Sequence, residues 1–299
     1  MRSIVSLSLP HRPSIQHLKQ QAKDLRRQLL SSAHPIGLQQ AQQRLAQLYG
    51  FPSWTRLCQR VVQLHAAEQH ARSFAFIPLG QMESVRGRIL IPLLCEGMLL
   101  HPNPDVRALC AGLMDHFGTD AAVPALLQAV KDPVPRVRIA ALHSLSCQRC
   151  KASALCVDQV EIFLHGIADV SLRIRRGAAC GLSSFIQDER AMLALDRAFV
   201  DPRNASGDLR FFCIDAFVRL AGSPWKHRGI DAIARLMMTA TDAGLRRWRG
   251  RAIAGLGAAL PEPRALVCLQ EIVAREDAQS ASWHQARRLL VQATGAGGR

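Results

Sequence analysis

Apolar positions along the chain fall on one recurring pattern. In five places an apolar residue and an arginine are followed by a small residue three positions after the arginine and an apolar one seven after it. The copies are Val106-Arg107 with Cys110 and Met114, Val137-Arg138 with Ala141 and Leu145, and Ile174-Arg175 with Ala178 and Leu182. Leu209-Arg210 with Cys213 and Phe217, and Trp248-Arg249 with Ala252 and Leu256, complete the set. Steps of three, four and seven lie on one face of a helix, so each copy predicts a helix with an inner stripe. A second apolar-periodic segment runs after each copy, at 121–130, 157–167, 189–200, 229–239 and 264–274. Proline-bearing turns punctuate the series at His101 to Pro104, Lys131 to Pro135, Asp201-Pro202 and Pro261 to Pro263. The arginines stand 31, 37, 35 and 39 residues apart, and a degenerate sixth copy begins at Trp283-His284. Such a period predicts about five to six helix pairs stacked side by side, each too small to bury its stripe alone.

Asp132-Pro133 followed by Val137-Arg138 and Ala140-Ala141-Leu142 carries a family resemblance, with Asp105-Val106-Arg107 and the stretch from Asp169 to Arg175 close behind. The pattern resembles the HEAT-repeat family, especially the bacterial kind related to phycobilisome-lyase repeats. The resemblance covers residues 89 to about 293 and implies an all-α HEAT-repeat α-solenoid over 89–299. It also implies that repeated Asp and Arg form a ladder along the stack, which gives Arg107, Arg138, Arg175 and Arg210 a structural role. Trp248-Arg249 departs from the pattern in lacking the upstream Asp-Pro.

Residues 1–72 do not follow the period. An amphipathic helix is expected from Ile15 to Leu30 with Ser14 as its cap, a second from Gly37 to Tyr49 ending at Gly50, and a third from Trp54 to about Ala67. The Pro-x-x-Pro-Ser, Leu-Lys-Gln-Gln-Ala-Lys-Asp-Leu and Tyr-Gly-Phe-Pro-Ser-Trp motifs resemble a short helical leader found before ankyrin and other repeats in bacteria, a leader without assigned activity. Residues 73–88 read as a linker.

Composition sharpens the picture in two ways. Lys+Arg 38 against Asp+Glu 23 leaves a net charge of +15, and the leader, with ten cations and two acids, holds +8 of it. That balance favours acidic or polyanionic partners. Nine cysteines at irregular spacing, with no secretory signal in Met1 to Pro10, lead to the expectation of reduced thiols in a cytoplasm. The longest apolar stretch, Ile89 to Leu100, is interrupted by Pro92 and Glu96 and is too short for a membrane span, so no membrane partner is expected.

Candidate chemistry is sparse. Gly-x-Gly-x-x-Gly, phosphate-loop, His-Glu-x-x-His and Gly-x-Ser-x-Gly motifs are absent, and no cofactor or small-molecule substrate is implied. One metal-like cluster stands out: Cys147-x-x-Cys150 with His143 and Cys156, where two thiolates and two further donors suit a tetrahedral soft cation. The competing reading is four loop residues without a ligand. Two basic clusters, Arg173, Arg175 and Arg176 and then Arg246, Arg247, Trp248, Arg249 and Arg251, offer a stripe for anion recognition, with Trp248 able to stack on a base. Their competing reading is a solvated face with Trp248 buried between repeats.

The sequence therefore points first to a non-catalytic interaction scaffold that binds a macromolecule, protein or nucleic acid, across a concave face. One alternative is an enzyme resembling the HEAT-like alkylpurine DNA glycosylases, for which Asp215 would be the catalytic acid, with Phe211, Trp225 and Trp248 nearby. A bilin-lyase-like protein is the other, with no residue to nominate.

Overall fold

The structure, a computed structural model, describes residues 7–30, 35–147, 150–151, 153, 155–204, 208–239 and 243–295; at 79, 208, 236, 238–239 and 243–247 it describes the backbone alone. Among these residues the secondary structure is sixteen α-helices and four short 3-10 turns, without a strand. The chain is all-α, of the α-solenoid class. It divides into two compact units, 1–157 and 158–299.

The first unit holds α1 (Ile15–Leu30), α2 (Leu38–Leu48), α3 (Trp54–Phe74), α4 (Met82–Val85), α5 (Ile91–Leu100), α6 (Pro104–Phe117), α7 (Val123–Ala129) and α8 (Pro135–Ser146). The leader has its own core, in which Leu18, Ala22, Leu45, Ala46, Tyr49, Leu57 and Val61 are buried together. Its helix ends follow local chemistry. Ser53 Oγ accepts the Arg56 N–H to cap α3. Gly50, at φ 77°, closes α2 in the left-handed region that glycine enters without penalty.

Helix α3 runs about two turns past the expected Ala67, because Ala71 and Phe74 extend its buried stripe and no proline intervenes before Pro78. The stretch expected as a linker is wound into the end of α3, a 3-10 turn, α4 and a second 3-10 turn. Val85 is buried there, and His70 Nε2 accepts the Leu90 N–H at 2.9 Å. Helix α3 then packs directly on α5 and α6. Gly97 makes this possible, since a Cβ there would stand 2.9 Å from both Ala67 Cβ and Cys110 Sγ.

In the rest of this unit α5 pairs with α6 and α7 with α8, while α6 packs on α8 and α5 on α7. The second unit repeats the scheme with α9 (Gln159–Ile167), α10 (Leu172–Leu182), α11 (Glu189–Val200), α12 (Asp208–Ala221), α13 (Lys226–Thr239), α14 (Ala243–Ala258), α15 (Pro263–Arg275) and α16 (Ala281–Thr294). There α10, α12, α14 and α16 form one layer, and α9, α11, α13 and α15 the other. Contact only between neighbouring pairs is the rule of a solenoid.

The sequence pattern explains the layers. Every small residue of the repeat (Cys110, Ala141, Ala178, Cys213, Ala252) and every large one (Met114, Leu145, Leu182, Phe217, Leu256) is buried. The small position lets adjacent helices approach, and each large one contributes about 1.5–3 kcal/mol on burial.

Candidate functional site

The repeated arginines are structural ties. Arg107 Nε and Nη2 hold the Asp132 carboxylate at 2.8 and 3.1 Å, while Nη1 donates to the carbonyls of His101 and Pro102. Arg138 Nη1 likewise reaches the carbonyls of Asp132 and Pro133. Arg175 Nη1 donates to Asp169 and Val170, and its Nε meets Asn204 Oδ1 at 2.8 Å. Arg249 pairs with Glu276 at 2.5 Å. The guanidiniums of Arg107, Arg138 and Arg175 thus close their own helix entrances with one edge. In Arg107, Arg175 and Arg249 another part reaches a residue 25 to 29 positions on, Asp132, Asn204 or Glu276. Arg210, in the same sequence position, sits over the Phe199 ring, 5.6 Å from its centroid.

These ties change the availability of the expected anion-binding residues. Arg175 is buried, 4% exposed, with its hydrogen bonds spent on the protein itself. Arg249 is held by Glu276, and Arg251 by Asp215. Trp248 lies flat on Phe211 with ring centroids 3.7 Å apart, so that face is already stacked. Arg173 and Arg176 are exposed. The side chains of Arg246 and Arg247 lie outside the described residues. Asp215, the glycosylase candidate, is bracketed by Arg219 at 3.1 Å and by Arg251.

A different cluster gathers chemistry. Asp115, in the last turn of α6, is only 6% exposed, and α8 packs across it. The two helices are registered by Ser144, whose buried Oγ donates to the Ala111 carbonyl at 2.6 Å. One turn along, Asp115 Oδ2 lies 3.3 Å from His143 Nε2 and 3.6 Å from His116 Nε2. Helix α8 stops at Cys147, and Lys151 Nζ donates to the Cys147 carbonyl at 2.7 Å. Lys151 Nζ also lies 3.7 Å from Asp115 Oδ1.

Two donor groups therefore share one carboxylate: Asp115, His143 and Cys147, and Asp115, His116 and Cys150. In each, the donor atoms lie within 4.8 Å of one another. Among the described residues neither Asp115 Oδ1 nor His116 Nδ1 has a hydrogen-bond partner, although both atoms are buried. The electrostatics are tightly coupled. Burial pushes the Asp115 carboxyl up, but hydrogen bonds with His143 and Cys147 outweigh it and hold the group at about 2. The Asp115 hydrogen bond raises His143 despite partial burial. Contact with Cys147 pushes the Cys150 thiol up to about 11.

The sequence placed His143, Cys147, Cys150 and Cys156 together. The structure brings the first three around Asp115, in two overlapping groups. Cys156 belongs to neither: it is exposed, and its N–H is tied to Asp120 Oδ1 at 2.8 Å. Asp115, His116 and Lys151 escaped the sequence reading. The signal available was an acid inside the apolar run Leu113-Met-Asp-His-Phe117, between positions that the repeat buries.

A cleft of about 340 Å³ lies between the leader and the first helix pair, lined by Arg12, His65, Glu68, Arg72 and His101 among others. His101 closes its inner end, with Nδ1 accepting the Asn103 N–H at 3.1 Å and Nε2 3.6 Å from Glu68.

Comparison with known families gives two matches. Residues 91–179 match HEAT repeats. Residues 8–90 match a family described as glyoxalase superfamily protein. In this chain that stretch holds α1 to α4 and no strand among the described residues, and the donor groups built on Asp115 lie outside it. No curated protein matches the sequence.

Proposed function

We propose that the chain is an interaction module in which HEAT repeats form a rigid helical support and the exposed cations of the leader engage an acidic macromolecule. One observation carries this reading: the repeat-entrance arginines Arg107, Arg138, Arg175 and Arg249 are consumed by the fold, whereas six cations of the leader are not. Arg12, Lys19, Lys23, Arg26, Arg44 and Arg56 are all exposed, and none has an ion-pair partner among the described residues. Asp24, the acid of α1, is taken by Arg27 at 2.8 Å. An excess of solvated cations on a compact support attracts polyanions over a Debye length and strengthens as salt falls. Arg173 and Arg176 supply further exposed charge in the second unit.

Catalysis by Asp215 is disfavoured, because two guanidiniums pair with it and one face of Trp248 is already stacked on Phe211. The test is binding of the full chain to duplex DNA, and to an acidic protein of matched charge, across a salt series. A nucleic-acid partner gives a log–log slope of about −0.9 per phosphate contacted, and Lys19→Glu with Lys23→Glu and Arg26→Glu flattens it. Charge reversal without effect on either ligand removes the leader from the interface and refutes the assignment.

A further inference from the structure

The geometry points to a zinc-class cation site on the first unit, with Asp115, His143, Cys147 and Cys150 as its donors and His116 as an alternative nitrogen. It stands apart from the docking function above and does not depend on it.

The donor set is the first argument. Carboxylate, imidazole and thiolate are the three ligand types that a borderline d10 cation takes. Spacing is the second. Bonds of about 2.0–2.3 Å in a tetrahedron place ligand atoms about 3.6 Å apart. His143 Nε2 and His116 Nε2 already stand 3.3 and 3.6 Å from Asp115 Oδ2. Both groups lie within 4.8 Å throughout, so contraction by about an ångström brings a trio onto one ion. Unmet polarity is the third argument. Asp115 is more than nine-tenths buried, and among the described residues neither its Oδ1 nor the buried His116 Nδ1 has a hydrogen bond. A buried acceptor left in that state costs stability that a ligand would return.

Access and charge fit as well. Asp115 forms the floor, whereas Cys147 and Cys150 are half-buried and His143 is exposed, so an ion enters from solvent. Binding exchanges the two thiol protons, released to buffer, for one dication. Two thiolates, the Asp115 carboxylate and a dication together carry one negative charge. The Lys151 ammonium, its side chain fully buried beside them, cancels it. Lys151 is then an outer-sphere partner, already anchored on the Cys147 carbonyl.

The experiment uses the full chain, reduced and stripped with a chelator, then titrated anaerobically with cobalt(II) and, in competition, with zinc(II). The expected result is one equivalent of cobalt per chain, showing sulfur-to-cobalt charge transfer and the intense visible bands of a tetrahedral site, bleached by zinc. Cys147→Ser and His143→Ala alter half-buried or exposed side chains and should leave the helical spectrum intact, yet each should weaken cobalt binding at least about tenfold, as loss of an inner-sphere donor must exceed outer-shell effects. Cys156→Ala should bind as the parent does. Zinc should also slow alkylation of Cys147 and Cys150 but not of Cys156. A reduced chain with no thiolate–cobalt band, binding unchanged in Cys147→Ser, or equal loss in Cys156→Ala would each overturn the site.

Discussion

Truncating Asp132 to Ala gives the sharpest test of how the repeats are held. Its carboxylate accepts Arg107 Nε at 2.8 Å and Nη2 at 3.1 Å, and it also caps the next helix entrance through the Val134 N–H at 2.8 Å. The Arg107 and Asp132 side chains are 12% and 10% exposed, so the pair sits in a medium where breaking one partner strands the other. Full stranding of a buried ion costs about 3–5 kcal/mol. Arg107 keeps its two carbonyl acceptors in the variant, which lowers the expected loss to about 2–4 kcal/mol. For a unit of this size that corresponds to a fall in Tm of roughly 4–16 °C.

Asp132→Asn should fall between parent and Ala, because it retains an acceptor and loses the charge, the arrangement Arg175 has with Asn204. The control is Arg136→Ala, which removes a still shorter pair with Asp105 whose side chains are 51% and 64% exposed. Exposed pairs of that kind contribute little. Thermal unfolding followed by circular dichroism, with urea titration to check that the m-value is constant, reads all three. A shift for Asp132→Ala no larger than that for Arg136→Ala would refute the ladder as a structural device.

Further outcomes follow from other contacts. Gly181→Ala places a Cβ 2.1 Å from the Phe163 ring and should cost about 1–3 kcal/mol in urea unfolding through overpacking between α9 and α10. Gly177→Ala, on the same helix with open space around its Cβ, should instead stabilise by about 0.5–1 kcal/mol, and equal effects from the two would contradict the packing described. Burial holds His101 below its ordinary 6.5 against the opposing pull of Glu68, with Arg72 and Arg107 also facing it. A base depressed in the fold stays neutral while the unfolded chain takes up its proton, so stability is full above pH 6.5 and falls as pH drops toward the folded value. Tm should therefore decline on acidification more steeply in the parent than in His101→Gln; parallel slopes would show that His101 does not report on folding.

Helix positions were legible because burial follows local spacing. Ile15 to Leu30 and Glu189 to Val200 are helices over the very spans the apolar pattern outlines. Helix α3 was read short because its last buried residues, Ala71 and Phe74, face α5 and the short turns rather than its own leader, and no local breaker marks its end. Side-chain roles were less legible, for a physical reason. Arg175 and Arg176 are adjacent in sequence and both cationic, yet one is sealed by Asn204 and the other is exposed. The partner that decides the matter lies one repeat away, and local spacing carries no record of it. Arg249 with Glu276 and Arg251 with Asp215 repeat the lesson at separations of 27 and 36 residues. The Asp115 cluster needed α6 and α8 side by side before a lone acid, a histidine at the far end of another helix and two loop thiols became neighbours.

The ladder also bears on where the net charge can act. A guanidinium is suited to this role because its planar fork satisfies two loop carbonyls and a carboxylate at once, which an ammonium cannot do. Each repeat that adopts the Val-Arg entrance therefore withdraws one cation from the surface, and an acid drawn into the ladder is withdrawn with it. Where the partner is Asn204 the tie is made without an anion, and Arg203 nearby is turned back onto Asp201 at 2.6 Å. The repeats thus commit Arg107, Arg138, Arg175 and Arg249 to the fold and not to a ligand. The leader has no such entrances, and its cations remain solvated on α1 and α2. Grafting charge onto the repeats should then change stability before it changes binding, whereas neutralising α1 should do the reverse. Opposite responses from two sets of arginines in one chain distinguish a scaffold with a basic head from a uniformly basic groove.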